Sequence, residues 1–234
     1  MDEWIRPWIA QHVCALREGD DAAKTAGALG LGNLVRNNAR SRALIAEAGG
    51  IPLLVELLRD GSAKAKKEAA WALGNLACNA ANRIAIAEAG GIPPLVELLR
   101  AGSAKAKEEA AWALGNLAPN AANKILIAEA GGVPALVELL RDESADIRVE
   151  AARALRILAL NNDAKAAAIA VAFGFEALVE LTRRGSVTVL GRPCVQFAGI
   201  PAKRKAALVV AALLGDCVPD SVPRVLKAEI GSYL

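Results

Sequence analysis

The chain of 234 residues contains one histidine, His12, one tyrosine, three phenylalanines and four tryptophans, so aromatics make up only 3% of it. That scarcity argues against a β-sandwich, which draws on Tyr, Phe, Trp and Thr for its pleated faces. Four cysteines (Cys14, Cys78, Cys194, Cys217) are scattered without a CxxC pair. With a single histidine beside them they make no Cys/His zinc site, so no metal is expected. They are read as reduced, and mostly as packing residues. No apolar run approaches the ~18 residues a membrane helix needs; the densest, over 206–214, is far shorter. The start, Met1-Asp2-Glu3-Trp4, shows no basic flank, no apolar signal segment and no glycine for myristoylation. The expected setting is therefore the cytoplasm or nucleus, without membrane insertion. Neither sign of charge is in excess: 28 Lys and Arg oppose 25 Asp and Glu, a net of +3. Such a balance gives no global attraction to nucleic acid.

What the chain does have is small and aliphatic. Hydrophobic residues reach 54%, carried by Ala, Leu, Ile and Val. Ala and Leu are strong helix formers, and Ala lets helices approach closely. The composition points to many short, tightly packed helices.

Internal repetition sets the organisation. Gly49-Gly50-Ile51-Pro52 returns as Gly90-Gly91-Ile92-Pro93 and as Gly131-Gly132-Val133-Pro134, 41 residues apart each time. Ala69-Ala70-Trp71-Ala72-Leu73-Gly74-Asn75-Leu76 returns as Ala110-Ala111-Trp112-Ala113-Leu114-Gly115-Asn116-Leu117. An eroded copy runs from Ala151 through Arg153 to Leu158. Each unit reads as three helices. A short first helix (83–89 in one copy) ends at Gly-Gly, where positive φ costs nothing. Pro93 then sits at the start of the second helix, where its missing N–H is harmless. Leu95, Val96, Leu98 and Leu99 form the apolar face of that helix. Gly102-Ser103 breaks it, and Ser103 caps a longer third helix ending near Pro119. Asn37, Asn79, Asn120 and Asn161 are read as stop signals for third helices.

One such unit cannot bury its own apolar faces, so neighbours must stack into a solenoid. The expected division is a truncated capping unit at 1–38, full units at 39–79, 80–120 and 121–162, a divergent unit at 163–215 and a terminal cap at 216–234. Trp4, Trp8, Val13 and Leu16 are expected to cover the first interface. Gly27, Gly30 and Gly32 should let the third helix of the first unit fray, at up to about 1 kcal/mol each. Residues 187–201 read as a surface loop inserted between helices at 175–182 and 202–214.

The Gly-Gly-Ile-Pro turn, the Leu-Val-Glu-Leu-Leu helix, the Gly-Ser break and the Ala-Ala-Trp-Ala-Leu-Gly-Asn-Leu-Ala helix together resemble the armadillo family. The match is strong over about 39–162 and weaker over 10–38 and 163–215. The resemblance implies an all-α fold, a right-handed α-α superhelix of about five three-helix repeats. It also implies that third helices line a concave groove holding partners in extended form. Trp followed four residues later by Asn resembles the ligand ladder of importin-alpha-like members. In those members asparagines bond the peptide backbone and tryptophans make slots for long side chains. The pattern falls on Trp71/Asn75 and Trp112/Asn116. Asn33 keeps the asparagine while Leu29 replaces its tryptophan, and Arg153 and Ile157 replace both in the next unit.

The implied ligand is a protein or peptide segment in extended conformation, bound around Asn33, Trp71, Asn75, Trp112, Asn116 and Arg153. Trp71 and Asn75 lie four apart and share a helix face. Asn offers a donor and an acceptor to an extended backbone, and the indole offers a flat surface to a Lys or Arg stem and head. The competing reading makes the tryptophans inter-repeat core and the asparagines helix ties. Spacing alone leaves the two level; the resemblance favours binding. One turn earlier lie Lys64, Lys67 and Glu68, then Lys105, Glu108 and Glu109. They either select ligand charge or form a solvated face. Six basic residues between 183 and 205 read the same two ways, as a docking patch or as solvated surface.

No catalytic set is visible. A serine or cysteine nucleophile would need a positioned base, and His12 stands alone. Glu56, Glu97, Glu138 and Glu180 recur at about the repeat period, which marks them as architectural. Gly27–Gly32 resembles a phosphate loop but lacks its lysine and preceding strand. The expectation is a non-catalytic interaction scaffold with no cofactor and no small-molecule substrate. Two further readings stay open: the substrate-recognition module of a ubiquitin-ligase (U-box type) system, and a nuclear import adaptor. The latter lacks a basic segment ahead of Trp4.

Overall fold

The structure, a computed structural model, describes residues 5–36, 38–159 and the four residues 188, 189, 192 and 193. The chain divides into two compact units, Met1–Ala135 and Leu136–Leu234. Eleven helices make up almost all of the described residues, and the fold is all-α, an armadillo solenoid.

In the first unit, α1 (Ile5–Glu18) and α2 (Asp21–Val35) stand as the second and third helices of a repeat, with no first helix among the described residues. Two complete triplets follow: α3 (Ala39–Glu47), α4 (Gly50–Asp60) and α5 (Ala63–Leu76), then α6 (Ala80–Glu88), α7 (Ile92–Ala101) and α8 (Ala104–Leu117). A third triplet begins with α9 (Ala121–Glu129), and the boundary between the units falls within α10 (Gly132–Leu139). Its third helix, α11 (Ala145–Ala159), belongs to the second unit. Elsewhere in that unit Thr188–Val189 pairs antiparallel with Arg192–Pro193, inside the stretch read as an inserted loop. The helices expected at 175–182 and 202–214, the cap, the basic cluster's side chains, Cys194 and Cys217 lie outside the described residues.

Local chemistry explains the boundaries. Gly49, Gly90 and Gly131 take φ of 76°, 73° and 76°, so the first glycine of each pair makes the left-handed turn. Ser62 and Ser103 accept the backbone N–H of Ala65 and Ala106, and Asp20 accepts that of Ala23, so all three third helices of this unit are capped alike. The recurring asparagines need correction. Asn38, Asn79 and Asn120 cap the first helix of the following repeat by accepting backbone N–H groups, rather than stopping the third helix. α6 accordingly starts at Ala80, three residues before the expected 83. The first copy of the signal is Asn38; Asn37 and Asn161 lie outside the described residues.

The core is a layer of third helices, α2 on α5 and α5 on α8, backed by α1, α4 and α7. Leu31, Leu54, Leu58, Leu73, Leu76, Leu95, Leu99, Leu114 and Leu117 are fully buried in it. At the end of the array Ile5, Ile9, Val13 and Leu16 are buried, but Trp8 is exposed; Trp4 is outside the described residues. Two further expectations change. α2 is a continuous helix in spite of its glycines, because each glycine receives a neighbour too close for a side chain. A Cβ on Gly27 would stand 2.9 Å from the His12 carbonyl, and one on Gly30 would overlap the His12 imidazole. Cys14 and Cys78 are free, as expected, but exposed rather than packed.

Polar side chains fasten successive repeats. The amide of Asn82 donates to Arg42 O at 3.0 Å in the preceding repeat and to Leu76 O at 3.2 Å. Asn123 repeats this with Arg83 O and Leu117 O at the same distances. Arg59 donates to Ala89 O and Gly90 O, and Arg100 to Gly131 O, each reaching the Gly-Gly turn of the next repeat. There the guanidinium sits just beyond the C-terminus of a first helix, where a cation is favoured.

Candidate functional site

The ladder residues of the first unit stand on α2, α5 and α8, three helices side by side. A small-residue position decides where the indoles go. A Cβ on Gly32 would fall 2.3 Å from Trp71 Cζ3, and one on Gly74 would fall 2.4 Å from Trp112 Cε3 and Cζ3. Each indole is therefore laid over a glycine of the preceding third helix. Both rings remain half-buried, with one side in the inter-repeat packing and the rest open. The packing reading of the tryptophans holds for one side of each ring, and the other side is open.

The asparagines differ from one another. Asn33 is exposed. Asn75 is buried, and its amide donates to Trp71 O at 3.1 Å on its own helix. Asn116 is half-buried; its amide donates across the repeat to Gly74 O at 3.0 Å and lies 3.9 Å from Cys78 Sγ. Gly74 therefore takes the indole of Trp112 over its Cα and the amide of Asn116 on its carbonyl. Sequence reasoning missed this role for Gly32 and Gly74. The signal was present in the run Leu-Gly-Asn-Leu, which begins at Leu31, Leu73 and Leu114.

One turn before the indoles the charges are paired locally. Lys67 Nζ lies 2.7 Å from the buried Glu68 carboxylate. Lys105 lies 2.5 Å from Glu108 and 3.6 Å from Glu109. The bond to Glu108 raises the Lys105 pKa above its ordinary value. The Glu109 carboxyl is raised, chiefly by burial and further by the nearby charges of Glu108 and Glu68, although Lys105 pulls it the other way. Glu109 is thus a carboxylate whose lost hydration its own lysine does not make good. Lys64 is exposed at the start of α5. Arg153, in the second unit, is half-buried on α11 and pairs with Glu150 at 2.9 Å. Glu56, Glu97 and Glu138 are exposed at equivalent positions of successive second helices. Among the described residues no cluster of His, Cys, Asp and Glu could hold a metal ion, and no helix is long and apolar enough to cross a membrane.

Comparison with known proteins agrees with this architecture. The armadillo/beta-catenin-like repeat profile matches residues 38–78, 79–118 and 120–160. Among solved structures, an engineered protein is 28% identical over 95% of this chain and 93% of its own, with a TM-score of 0.70. A designed armadillo repeat protein in complex with the peptide (KR)4 is 27% identical over 96% of this chain and 87% of its own, at 0.72. Another engineered protein is 30% identical over 96% and 86%, at 0.74. No curated protein sequence matches.

Proposed function

Since the chain belongs to the armadillo repeat family, we propose that it is a non-catalytic scaffold that binds an extended peptide segment of a partner protein across α2, α5 and α8. The observation that carries this reading is the row of half-open indoles. Trp71 and Trp112 are each held against a glycine, which fixes their geometry before any ligand arrives, so little ordering cost remains. A long aliphatic stem fits against such a ring, and a cationic head is attracted to its face. Glu68 and Glu109, one turn before the indoles, favour a basic head. The under-compensated carboxylate of Glu109 supports this, since an incoming cation would offset its burial. The designed neighbour that carries (KR)4 supports a ligand of the same class. Asn116 and Asn33 supply polar groups beside the ladder for a peptide backbone.

A free-standing scaffold is preferred over a ubiquitin-ligase recognition module or a nuclear import adaptor, because it needs no residue beyond those of the ladder. Cytoplasm or nucleus, where such segments are met, remains the proposed location, with no nucleic-acid or small-molecule ligand.

The test is fluorescence anisotropy with labelled (Lys-Arg)4, an acidic octapeptide control and a displayed library of random peptides. Saturable binding of basic peptides that the Trp71→Ala/Trp112→Ala double variant loses supports the proposal. Failure of the folded protein to retain any peptide from the library overturns it.

A further inference from the structure

The three ladder helices are built alike yet carry different chemistry at the α2 end. Their caps align as Asp20, Ser62 and Ser103, and their ring-bearing glycines as Gly32 and Gly74. In that alignment Lys64 and Lys105 correspond to Ala22, Glu68 and Glu109 to Ala26, and Trp71 and Trp112 to Leu29. Ala22 and Ala26 are exposed, and Leu29 is 42% exposed. The position of Lys67 is taken by Thr25, which is buried and donates its hydroxyl to Asp21 O at 2.7 Å. From Thr25 to Val35 the helix has no charged residue at all. The charges flanking this step are Asp21, whose carboxylate accepts the Ser62 N–H at 3.3 Å, with Lys24 on one side, and Arg36, exposed one turn beyond Asn33, on the other. The Arg36 cation repels a lysine or arginine there, and Ala26 offers no counterpart to the carboxylates of Glu68 and Glu109.

We infer that the peptide bound on this face is mixed, with an aliphatic side chain set on Leu29, Ala22 and Ala26 at the α2 end and a basic side chain beside Glu68 and Glu109. This rests on the peptide-binding function proposed above and names the chemistry of its ligand. Charge complementarity separates the two ends: carboxylates and indoles on α5 and α8, an uncharged apolar step followed by Arg36 on α2. Alternate side chains of an extended chain point to the same side, so the two anchors are separated by an even number of residues.

The probes are four labelled octapeptides: (Lys-Arg)4, Leu-Leu-(Lys-Arg)3, (Lys-Arg)3-Leu-Leu, and one with Leu-Leu in the middle. A pair is replaced each time so that one leucine faces the protein in either register. One of the two end-substituted peptides should bind about 5-fold or more tighter than (Lys-Arg)4, from burial of aliphatic surface. The centrally substituted peptide should bind more weakly than (Lys-Arg)4. Leu29→Glu, an exposed helical substitution whose fold is checked by circular dichroism, should abolish the leucine preference and raise the affinity of (Lys-Arg)4. If (Lys-Arg)4 binds but neither end-substituted peptide improves on it, or if Leu29→Glu leaves the ranking unchanged, this inference is overturned while the binding function stands. If none of the four binds, the basic ligand of the proposed function is lost along with it.

Discussion

The terminal pair α1–α2 and the complete triplets behind it solve the same packing problem with different side chains. Both present a capped third helix, and both offer a glycine as a bed for the next indole, Gly32 in one and Gly74 in the other. Among the described residues the terminal pair has no first helix, so α3 lacks the preceding first-helix carbonyl that Arg42 and Arg83 offer to Asn82 and Asn123. At the position of those asparagines α3 has Ser41, buried with a hydroxyl that finds no hydrogen-bond partner. On α2, Ala22, Ala26 and Leu29 stand where the later third helices have lysine, glutamate and indole. Features common to both regions therefore belong to stacking. Trp71, Trp112, Glu68 and Glu109 are confined to the interior, yet the two indoles also take part in stacking through Gly32 and Gly74, so only their open side is left for the ligand proposed above.

The largest effect expected from breaking this comparison is at Asn82. Asn82→Ala removes two buried or part-buried hydrogen bonds, to the carbonyls of Arg42 and Leu76. At about 1 kcal/mol for each bond, the loss should be about 2 kcal/mol in urea unfolding. Ser41→Ala at the equivalent position should cost nothing or stabilise slightly, since its hydroxyl is buried without a partner. Equal losses at the two sites would mean that α3 is fastened to the terminal pair as α6 is to the repeat before it.

Next is Trp112. Trp112→Ala should weaken binding of a basic peptide by about 2 kcal/mol, as expected of an aromatic anchor. Because the ring also covers Gly74, stability should fall by about 1 kcal/mol; a half-open ring loses less than a buried one. Leu29→Ala should change the affinity for the same all-basic peptide by less than about 0.5 kcal/mol. A collapse of the fold in Trp112→Ala would place the whole indole in the core and leave the ladder without its main surface.

Much of this was legible in the sequence, and the gaps have physical causes. Gly-Gly-Ile-Pro and Gly-Ser are local signals, because a left-handed residue or an N-cap acts within four residues of itself. They predict the turns at Gly49, Gly90 and Gly131 and the caps at Ser62 and Ser103. Asn79 and Asn120 were placed correctly but assigned the wrong direction, since a residue between two helices can close one or open the next. The Asn82, Asn123, Arg59 and Arg100 ties recur at the repeat period, yet their partners are backbone carbonyls 30 or more residues away, which no side-chain pattern reveals. The glycines of α2 read as helix weakeners because propensity counts the helix alone. Only the neighbouring ring and imidazole show why a side chain is excluded.

The exclusion is itself testable. An alanine in place of an exposed helical glycine should stabilise by up to about 1 kcal/mol. At Gly32 and Gly74 the added Cβ meets an indole, and overpacking of this kind costs about 1–3 kcal/mol. Gly32→Ala and Gly74→Ala should therefore each lose about 1 kcal/mol net, and by similar amounts, because the two beds are alike. Gly49→Ala should lose about as much for another reason: its surroundings are empty, but its φ of 76° disfavours any side chain. Crystal structures separate the mechanisms, with the ring displaced in Gly74→Ala and no neighbour moved in Gly49→Ala.

The smallest expected effect is confined to the terminal pair. His12 is the only histidine of the chain, and its imidazole lies across Gly30 of α2. Burial lowers its pKa below the ordinary 6.5, since taking the ring out of water disfavours the charged form. The unfolded chain, at the ordinary value, accepts the proton first as pH falls. Between the lowered value and 6.5 the unfolded state therefore binds more protons than the folded one, and stability declines as pH drops through that window. Above 6.5 both states are neutral and His12 adds no slope. Glu109, raised above 4.5 by burial, works in the opposite sense, losing stability as pH rises through its own window. The two must be separated by difference. Urea midpoints of the protein and of His12→Gln, followed between about pH 5 and 8, should run parallel above 6.5 and diverge below it, with the unmodified chain falling faster. Because α4 through α8 contain no histidine, hydrogen exchange should place that loss in α1 and α2 first. Parallel curves over the whole range would leave the imidazole in solvent and remove the contact that excludes a side chain at Gly30. A divergence of opposite sign would mean that the imidazolium is held by an acid.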